Sequence, residues 1–258
     1  MPHAEAPSAS VSPKAVDAGL LIEQTISTLF ASILRVYRQH FRVITLCGLF
    51  PMVPFVLLDA VVKATAPKWA LLAVLPVLVA GFIVAGVLTI TVSDICLGNQ
   101  PTVRRSYARV LAGKRWWHLI STALLYFLAV EVGVLLLVIP GLWLVMRGLF
   151  SSVVVALEGR RNRDAIRRSI ALTKGQVWRI VGFLLPTNVA LLALSMVVAV
   201  LASKAEGATA FLIHFIGNLV VLAIFSPAFS ITMVLLYYDQ RVRRESYDAQ
   251  ALHEDLMR

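Results

Sequence analysis

Six long apolar runs constrain this chain more than any other feature of its sequence. They lie at about residues 41–62, 69–97, 117–138, 141–157, 179–202 and 210–238. A helix needs about 20 mostly apolar residues to cross the hydrocarbon core of a bilayer. Hydrophobic residues make up 59% of the 258 residues, and a mean hydropathy of +0.82 is far above that of a soluble domain. We therefore predict an all-α, polytopic membrane bundle with six transmembrane helices arranged as three hairpins.

Basic amphipathic segments alternate with the pairs of apolar runs. The first covers residues 20–40, with apolar residues at three- and four-residue steps, and it suits either the membrane surface or packing against the bundle. The second begins after Thr102, a predicted N-cap, and stops at Gly113. The third begins near Asn162 and stops at Gly175. We expect each segment to form an amphipathic cytoplasmic surface helix that precedes a hairpin.

An internal repeat supports three units. Residues 104–108 (RRSYA) and 167–171 (RRSIA) match at four of five positions, and a glycine and a tryptophan follow each of them. Each hairpin also ends with an acid, at Asp94, Glu158 and Asp239. We predict pseudo-repeats at about 20–97, 98–157 and 158–248 within one membrane domain of residues 20–248. A disordered N-terminal tail at 1–19 and a cytoplasmic C-terminal tail at 249–258 flank this domain.

The distribution of Lys and Arg predicts the orientation. Outside the apolar runs, twenty of these residues lie in the termini and the three amphipathic segments. Only Lys63, Lys68 and Lys204 lie in the opposite connections. Loops rich in Lys and Arg stay in the cytoplasm. We therefore expect a multi-pass protein of the cell inner membrane with both termini cytoplasmic.

Five polar residues within the last four apolar runs are candidates for a role inside the membrane, and two of them are charged. Glu131 and Arg147 flank the turn predicted at Pro140-Gly141, so an ion pair across the hairpin of the third and fourth runs is the favoured interpretation. A proton or substrate pathway is one alternative, and Arg147 reaching a lipid headgroup is another. For the uncharged members of this set, hydrogen bonds between helices are the expected role: Asn188, His214 and Asn218.

Eight arginines of the second and third amphipathic segments are candidates for docking anionic lipids or a protein partner. They are Arg104, Arg105, Arg109, Arg160, Arg161, Arg163, Arg167 and Arg168. Determination of topology, with general attraction to anionic headgroups, is the simpler explanation for these bases. A docking face for particular lipids or for a cytoplasmic partner is the sharper one.

Sequence motifs offer no support for catalysis, a metal or a cofactor. The chain has no G-x-S-x-G, H-E-x-x-H or Walker-type loop, and its five histidines have no metal-ligand spacing. Cys47 and Cys96 are expected to be buried thiols. The net charge of +10 does not indicate nucleic acid, because no soluble basic domain is present to bind it.

Several segments together resemble a known family. They are residues 139–141 (IPG), 155–159 (VALEG), 165–169 (AIRRS), 172–175 (LTKG) and 236–248 (LYYDQRVRRESYD), with Arg147 between the first two. The pattern is similar to the membrane domain attached to some glycerophosphoryl diester phosphodiesterases, and to stand-alone bacterial relatives. In two-part relatives the hydrolase chemistry belongs to a separate soluble barrel, and this sequence has none. The resemblance therefore implies the fold and no hydrolase activity.

We expect a non-enzymatic integral membrane protein, either a scaffold or a lipid-associated accessory protein. Its expected partners are anionic membrane lipids, a cytoplasmic or membrane protein, and a second copy of the chain. The alternative is a transporter or lipid-moving protein with a polar path between the hairpins. A cavity open to one side and lined by Glu131, Arg147, Asn188 or Asn218 would favour transport, whereas a packed core would favour the scaffold.

Overall fold

The computed structural model describes residues 26–112 and 114–245, and nearly all of them are helical, with no strand among them. In chain order the helices are α1 (Ile26–Thr65), α2 (Ala70–Cys96), α3 (Val103–Leu111), α4 (Arg115–Leu136), α5 (Val138–Arg147), α6 (Ser151–Glu158), α7 (Asn162–Thr173), α8 (Val177–Ser203) and α9 (Gly207–Glu245). The predicted tails at 1–19 and 249–258, the start of the first amphipathic segment and the stop at Gly113 lie outside the described residues.

The prediction of an all-α membrane protein is confirmed at the level of its spans. Within the described residues, six helical stretches are long and apolar enough to cross a membrane: Ser27–Lys63, Leu75–Cys96, Arg115–Leu136, Val138–Glu158, Val177–Ser203 and Gly207–Glu245. Large apolar side chains cover their outer surfaces, and Leu135 and Ile139 are 82% and 80% exposed. An apolar surface of this extent suits lipid rather than water.

The predicted boundary between the first amphipathic segment and the first span is wrong. Helix α1 runs without interruption from Ile26 to Thr65, because no glycine or proline stands near residue 40 to end it. Leu29 and Val36 are almost completely buried, and the Phe30 ring lies 5.7 Å from the Phe183 ring of α8. This segment therefore packs against its own bundle.

The second hairpin, formed by the third and fourth spans, turns earlier than the sequence suggested. A single extended residue, Leu137, separates α4 from α5, so Pro140 and Gly141 lie in the first turn of α5. Proline is tolerated there because the first amides of a helix have no intrahelical acceptor. A Cβ atom on Gly133 would lie 3.0 Å from the Gly141 Cα, so the two helices cross closely at these glycines.

The fourth span is broken. A turn at residues 148–150 separates α5 from α6, where one continuous helix was predicted. The buried Ser169 of α7 bridges this break, because its hydroxyl accepts from the Phe150 N–H at 3.0 Å and donates to the Arg147 carbonyl at 2.7 Å. Side chains that satisfy freed backbone groups are what allow such breaks at membrane depth.

Helices α2, α6 and α9 form the centre of the bundle. Residues 151–157 of α6 and 230–240 of α9 are buried without exception. Helix α1 packs against α2 and α9, α4 against α5, and α8 against α9. Helices α2 and α6 end at one end of the bundle, and α3 and α7 lie there. We name it the exit end. The far end carries the α1–α2 and α8–α9 connections.

Candidate functional site

Three buried carboxylates mark the exit end, one from each central helix. Asp94 and Asp239 are each 2% exposed, and the Glu158 side chain is 7% exposed. Burial of a carboxylate is costly unless the charge is paired. Each of these acids meets at least one arginine, and we name the three acids with their arginine partners the exit cluster.

The first acid holds α3 against α2. The Arg109 Nη1 atom lies 2.7 Å from both carboxylate oxygens of Asp94. Close by, the Thr91 hydroxyl lies 2.9 Å from the Oγ atom of the buried Ser106. The Tyr107 hydroxyl donates to the Cys47 carbonyl, and burial raises the pKa of this phenol. Helix α3 is therefore fixed to the bundle by side chains of its inner face.

The second acid joins α6, α7 and α9. Glu158 accepts from the Arg168 Nε at 2.9 Å and from the Tyr237 hydroxyl at 2.8 Å. Arg160 adds a pair at 2.8 Å. Burial opposes the charge on Arg168, but its hydrogen bonds to Glu245 and Glu158 outweigh that effect and raise the pKa of its guanidinium. Arg168 thus remains charged and ties α7 to two helices.

The third acid belongs to α9 itself. Asp239 accepts from the Arg243 Nε at 3.1 Å and lies 3.2 Å from Arg179 at the start of α8. One residue earlier, the Tyr238 hydroxyl lies 2.5 Å from the Ser93 hydroxyl of α2. Residues 237–239 therefore contact the ends of both other central helices. The sequence showed the three acids, but their arginine partners were not predicted.

The eight candidate docking arginines separate into two groups. Three pair with carboxylates of the exit cluster, namely Arg109, Arg160 and Arg168. The other five are exposed and form no ion pair with any residue that the structure describes: Arg104, Arg105, Arg161, Arg163 and Arg167. We name these five the basic face. Their side chains extend outward from α3, from α7 and from the segment that precedes α7.

The predicted ion pair between Glu131 and Arg147 is absent. Glu131 is exposed on α4, and the Arg147 guanidinium lies 5.2 Å from the ring of Trp143. Because residue 133 faces residue 141, residue 147 lies opposite about residue 127. The two charges are therefore offset by about four residues, or about 6 Å along the helix. A turn at Pro140-Gly141 would offset them by about three residues in the opposite direction.

Of the other predicted polar residues, only His214 bonds across helices. Asn188 and Asn218 donate to carbonyls four residues earlier in their own helices, at 2.8 Å each. The His214 Nε2 atom lies 3.3 Å from an Asp59 oxygen of α1 and 3.3 Å from the Lys63 Nζ. Asp59 was not among the predicted polar residues, although its position four residues before Lys63 places both charges on one face of α1.

Two cavities lie beside these polar residues. A groove of about 270 Å³ between α1, α2, α8 and α9 is mainly apolar and is lined by Asn188, Gly81 and Phe225 among others. A second cavity, of about 520 Å³, lies at the far end, where Lys63 and His214 are its charged or titratable lining residues. Among the described residues, no group of three or more His, Cys, Asp or Glu side chains is placed to hold a metal ion.

Comparisons with known proteins give no relative for this chain. No family model matches it, and neither a curated protein nor a solved structure matches it. Functional inference therefore starts from the exit cluster, the basic face and the two cavities.

Proposed function

We propose that this protein is a non-enzymatic, lipid-associated protein of a bacterial inner membrane, whose basic face binds anionic phospholipid on the cytoplasmic side. The observation that carries the proposal is the division among the arginines of α3, α7 and the segment before α7. Three are neutralised by the exit cluster, whereas the five of the basic face extend outward with their charge unpaired by any described residue. Each base near an anionic surface contributes about 1 kcal/mol of attraction.

The exit cluster supports this proposal because it holds the basic face in place. Arg109 attaches α3 to α2, and Arg168 attaches α7 to α6 and α9. Arginines on helices that are fixed in this way lose less conformational freedom on binding than arginines on a flexible loop would. The geometry therefore favours a preformed surface for headgroups.

The test removes the five charges of the basic face together. In the variant with all five changed to Gln, the phosphatidylglycerol and cardiolipin retained on the protein purified in mild detergent should fall to their proportion in the bulk membrane. Lipid mass spectrometry gives this ratio. The matched control is Lys68→Gln with Lys204→Gln, which removes exposed bases at the far end and should leave the ratio unchanged. An unchanged ratio in the five-residue variant would refute the proposal.

The orientation is part of this proposal and has its own test. With Cys47 and Cys96 replaced, single cysteines are introduced at Thr65 and Ser203 of the far end and at Asn99 of the exit end; all three positions are exposed. A membrane-impermeant maleimide applied to intact cells should label the two far-end cysteines. Labelling of Asn99→Cys alone would show that the protein has the opposite orientation.

Membership in the family named above remains a proposal, as do a partner protein and a homo-oligomer. The support for membership is the pair of similar units, in which Ser106 and Ser169 both lie buried on the inner faces of short basic helices. An experimental structure of a family member tests it. In that structure, a serine equivalent to Ser169 should bridge a break in the fourth span.

A second candidate function, movement of lipid or another substrate, is favoured by the groove that Asn188 lines. Proteoliposomes with fluorescent phospholipid provide the test. Protein-dependent exposure of inner-leaflet label to dithionite would support movement, and rates equal to those of empty vesicles would exclude it for that lipid.

A further inference from the structure

We propose that the far cavity and the groove together form a seat for one phospholipid molecule of the outer leaflet, with its phosphate at Lys63 and His214 and an acyl chain in the groove. This seat lies at the opposite end from the basic face, so it extends beyond the function proposed above. Only the assignment to the outer leaflet rests on the orientation proposed above, and the seat itself does not depend on the basic face.

The far cavity supplies donors for an anion. The Lys63 Nζ lies 2.8 Å from Asp59 and 3.3 Å from His214. An ammonium group has three N–H donors, so at least one remains for a further acceptor. The Lys63 side chain is 43% exposed, whereas that of Asp59 is 15% exposed. The cavity therefore presents the cation of this pair, with the carboxylate behind it.

The two cavities lie along the same stripe of three helices. On α1, α8 and α9, residues at three- and four-residue steps connect the far cavity to the groove, and such steps keep to one helix face. The steps on α9 are His214, Asn218, Leu222, Phe225 and Phe229; on α1 they are Lys63, Asp59, Val56 and Met52; on α8 they are Ala202, Val198, Ser195 and Leu191. Both cavities therefore lie along the same helix faces, with the buried Val56 and Val198 between them, and we place the lipid along this stripe.

Length and width agree with a phospholipid. Eight residues of helix separate His214 from Leu222, and fifteen separate it from Phe229, so the groove begins about 12 Å and ends about 22 Å from the polar site. Half of a bilayer, with its headgroup region, is about 20–22 Å thick, which is close to the distance at which the groove ends. The far cavity, at about 520 Å³, is the larger one, and the groove of about 270 Å³ is smaller and mainly apolar. A bulky headgroup above a single chain has this shape.

The test uses the full chain in nanodiscs that contain phosphatidylglycerol with a diazirine at the end of one acyl chain. Irradiation should cross-link this lipid to the peptides of α8 and α9 that line the groove. Lys63→Gln should lower this cross-linking at least fivefold because it removes the phosphate donor. Gly81→Leu should do the same by filling the groove, because a Cβ atom on Gly81 meets no atom within 4 Å.

Matched variants separate the seat from other effects. Gly182 is a second helical glycine whose added Cβ meets nothing within 4 Å, but it does not line the groove, so Gly182→Leu should cross-link as the unmodified protein does. Arg167→Gln of the basic face should also leave cross-linking unchanged. Undiminished groove labelling in both Lys63→Gln and Gly81→Leu would overturn the proposal. Equal competition by oleate and by unlabelled phosphatidylglycerol would overturn the assignment to a phosphate.

Binding and movement are distinct outcomes. A lipid held at this seat would give the cross-link even if proteoliposomes showed no transfer between leaflets. Loss of anionic lipid from the five-residue variant reports only on the basic face. Failure of any one of these measurements therefore leaves the other two informative.

Discussion

The exit end and the far end of this bundle use charge in opposite ways. At the exit end, buried acids meet arginines from neighbouring helices, and the central residues of α6 and α9 are enclosed. At the far end, Asp59 and Lys63 pair within one helix, His214 of α9 lies 3.3 Å from Asp59, and Lys63 and His214 line a cavity. Removing one partner of a buried ion pair destabilises a protein strongly, whereas an exposed pair one helical turn apart contributes little to stability. We therefore expect the exit end to hold the helices together and the far end to be available for a ligand.

The largest expected effect is at the exit end. Glu158→Gln removes the charge that Arg168 and Arg160 share and weakens the acceptor of Tyr237. Removing one partner of a buried pair destabilises by several kcal/mol, and we expect about 3 kcal/mol here. Thermal unfolding in detergent, followed by circular dichroism, measures it.

Glu131→Gln is the matched control for this change. It is the same substitution at an exposed carboxylate with no ion pair among the described residues. Its melting temperature should match that of the unmodified protein or lie slightly above it. Equal losses in the two variants would mean that the exit cluster has no special role in stability.

The next effect concerns the break in the fourth span. Ser169→Ala removes the hydroxyl that serves both Phe150 and Arg147, leaving a buried amide without its partner. A buried unsatisfied donor costs about 1–3 kcal/mol. Ser106→Ala, at the equivalent repeat position, should cost less, because Thr91 keeps the Val87 carbonyl within 2.9 Å. A larger loss for Ser106→Ala would contradict the bridging role of Ser169.

The sequence predicted the membrane spans, which depend on hydrophobicity over long windows. It did not predict the position of the turn between α4 and α5, which depends on local backbone geometry. Six spans and the start of α7 at Asn162 follow from apolar length and local composition, and the structure confirms them. The turn at Leu137 did not follow, because Pro140 and Gly141 are common both in turns and in first helical turns. With the turn at Leu137, the position opposite Arg147 is about residue 127, four residues from Glu131.

The exit cluster was only half visible in the sequence for a related reason. Acids at the ends of three hairpins stand out against apolar surroundings, but their partners are separated by 15 residues for Asp94 and 10 for Glu158. No helical or strand period relates such positions. Their contact results from the packing of α3 and α7 across the bundle, which depends on tertiary structure.

A small effect is expected at the far end. Lys63→Gln removes an i,i+4 pair with Asp59 in which the lysine is 43% exposed. Pairs of this kind contribute about 0.3–0.5 kcal/mol. The melting temperature should therefore change little, although lipid cross-linking should fall. A loss as large as that of Glu158→Gln would show that the far end is as tightly coupled as the exit end.

The smallest expected effect is an interaction energy of zero between Glu131 and Arg147. The hairpin register offsets these residues by about 6 Å, and Arg147 lies over Trp143 instead. In a double-mutant cycle of Glu131→Gln and Arg147→Gln, the two changes in unfolding free energy should add to within about 0.5 kcal/mol. The cycle of Glu158→Gln with Arg168→Gln should show coupling well above that value, because these side chains are in contact at 2.9 Å. Coupling in the first cycle as strong as in the second would require a different packing of α5 against α4.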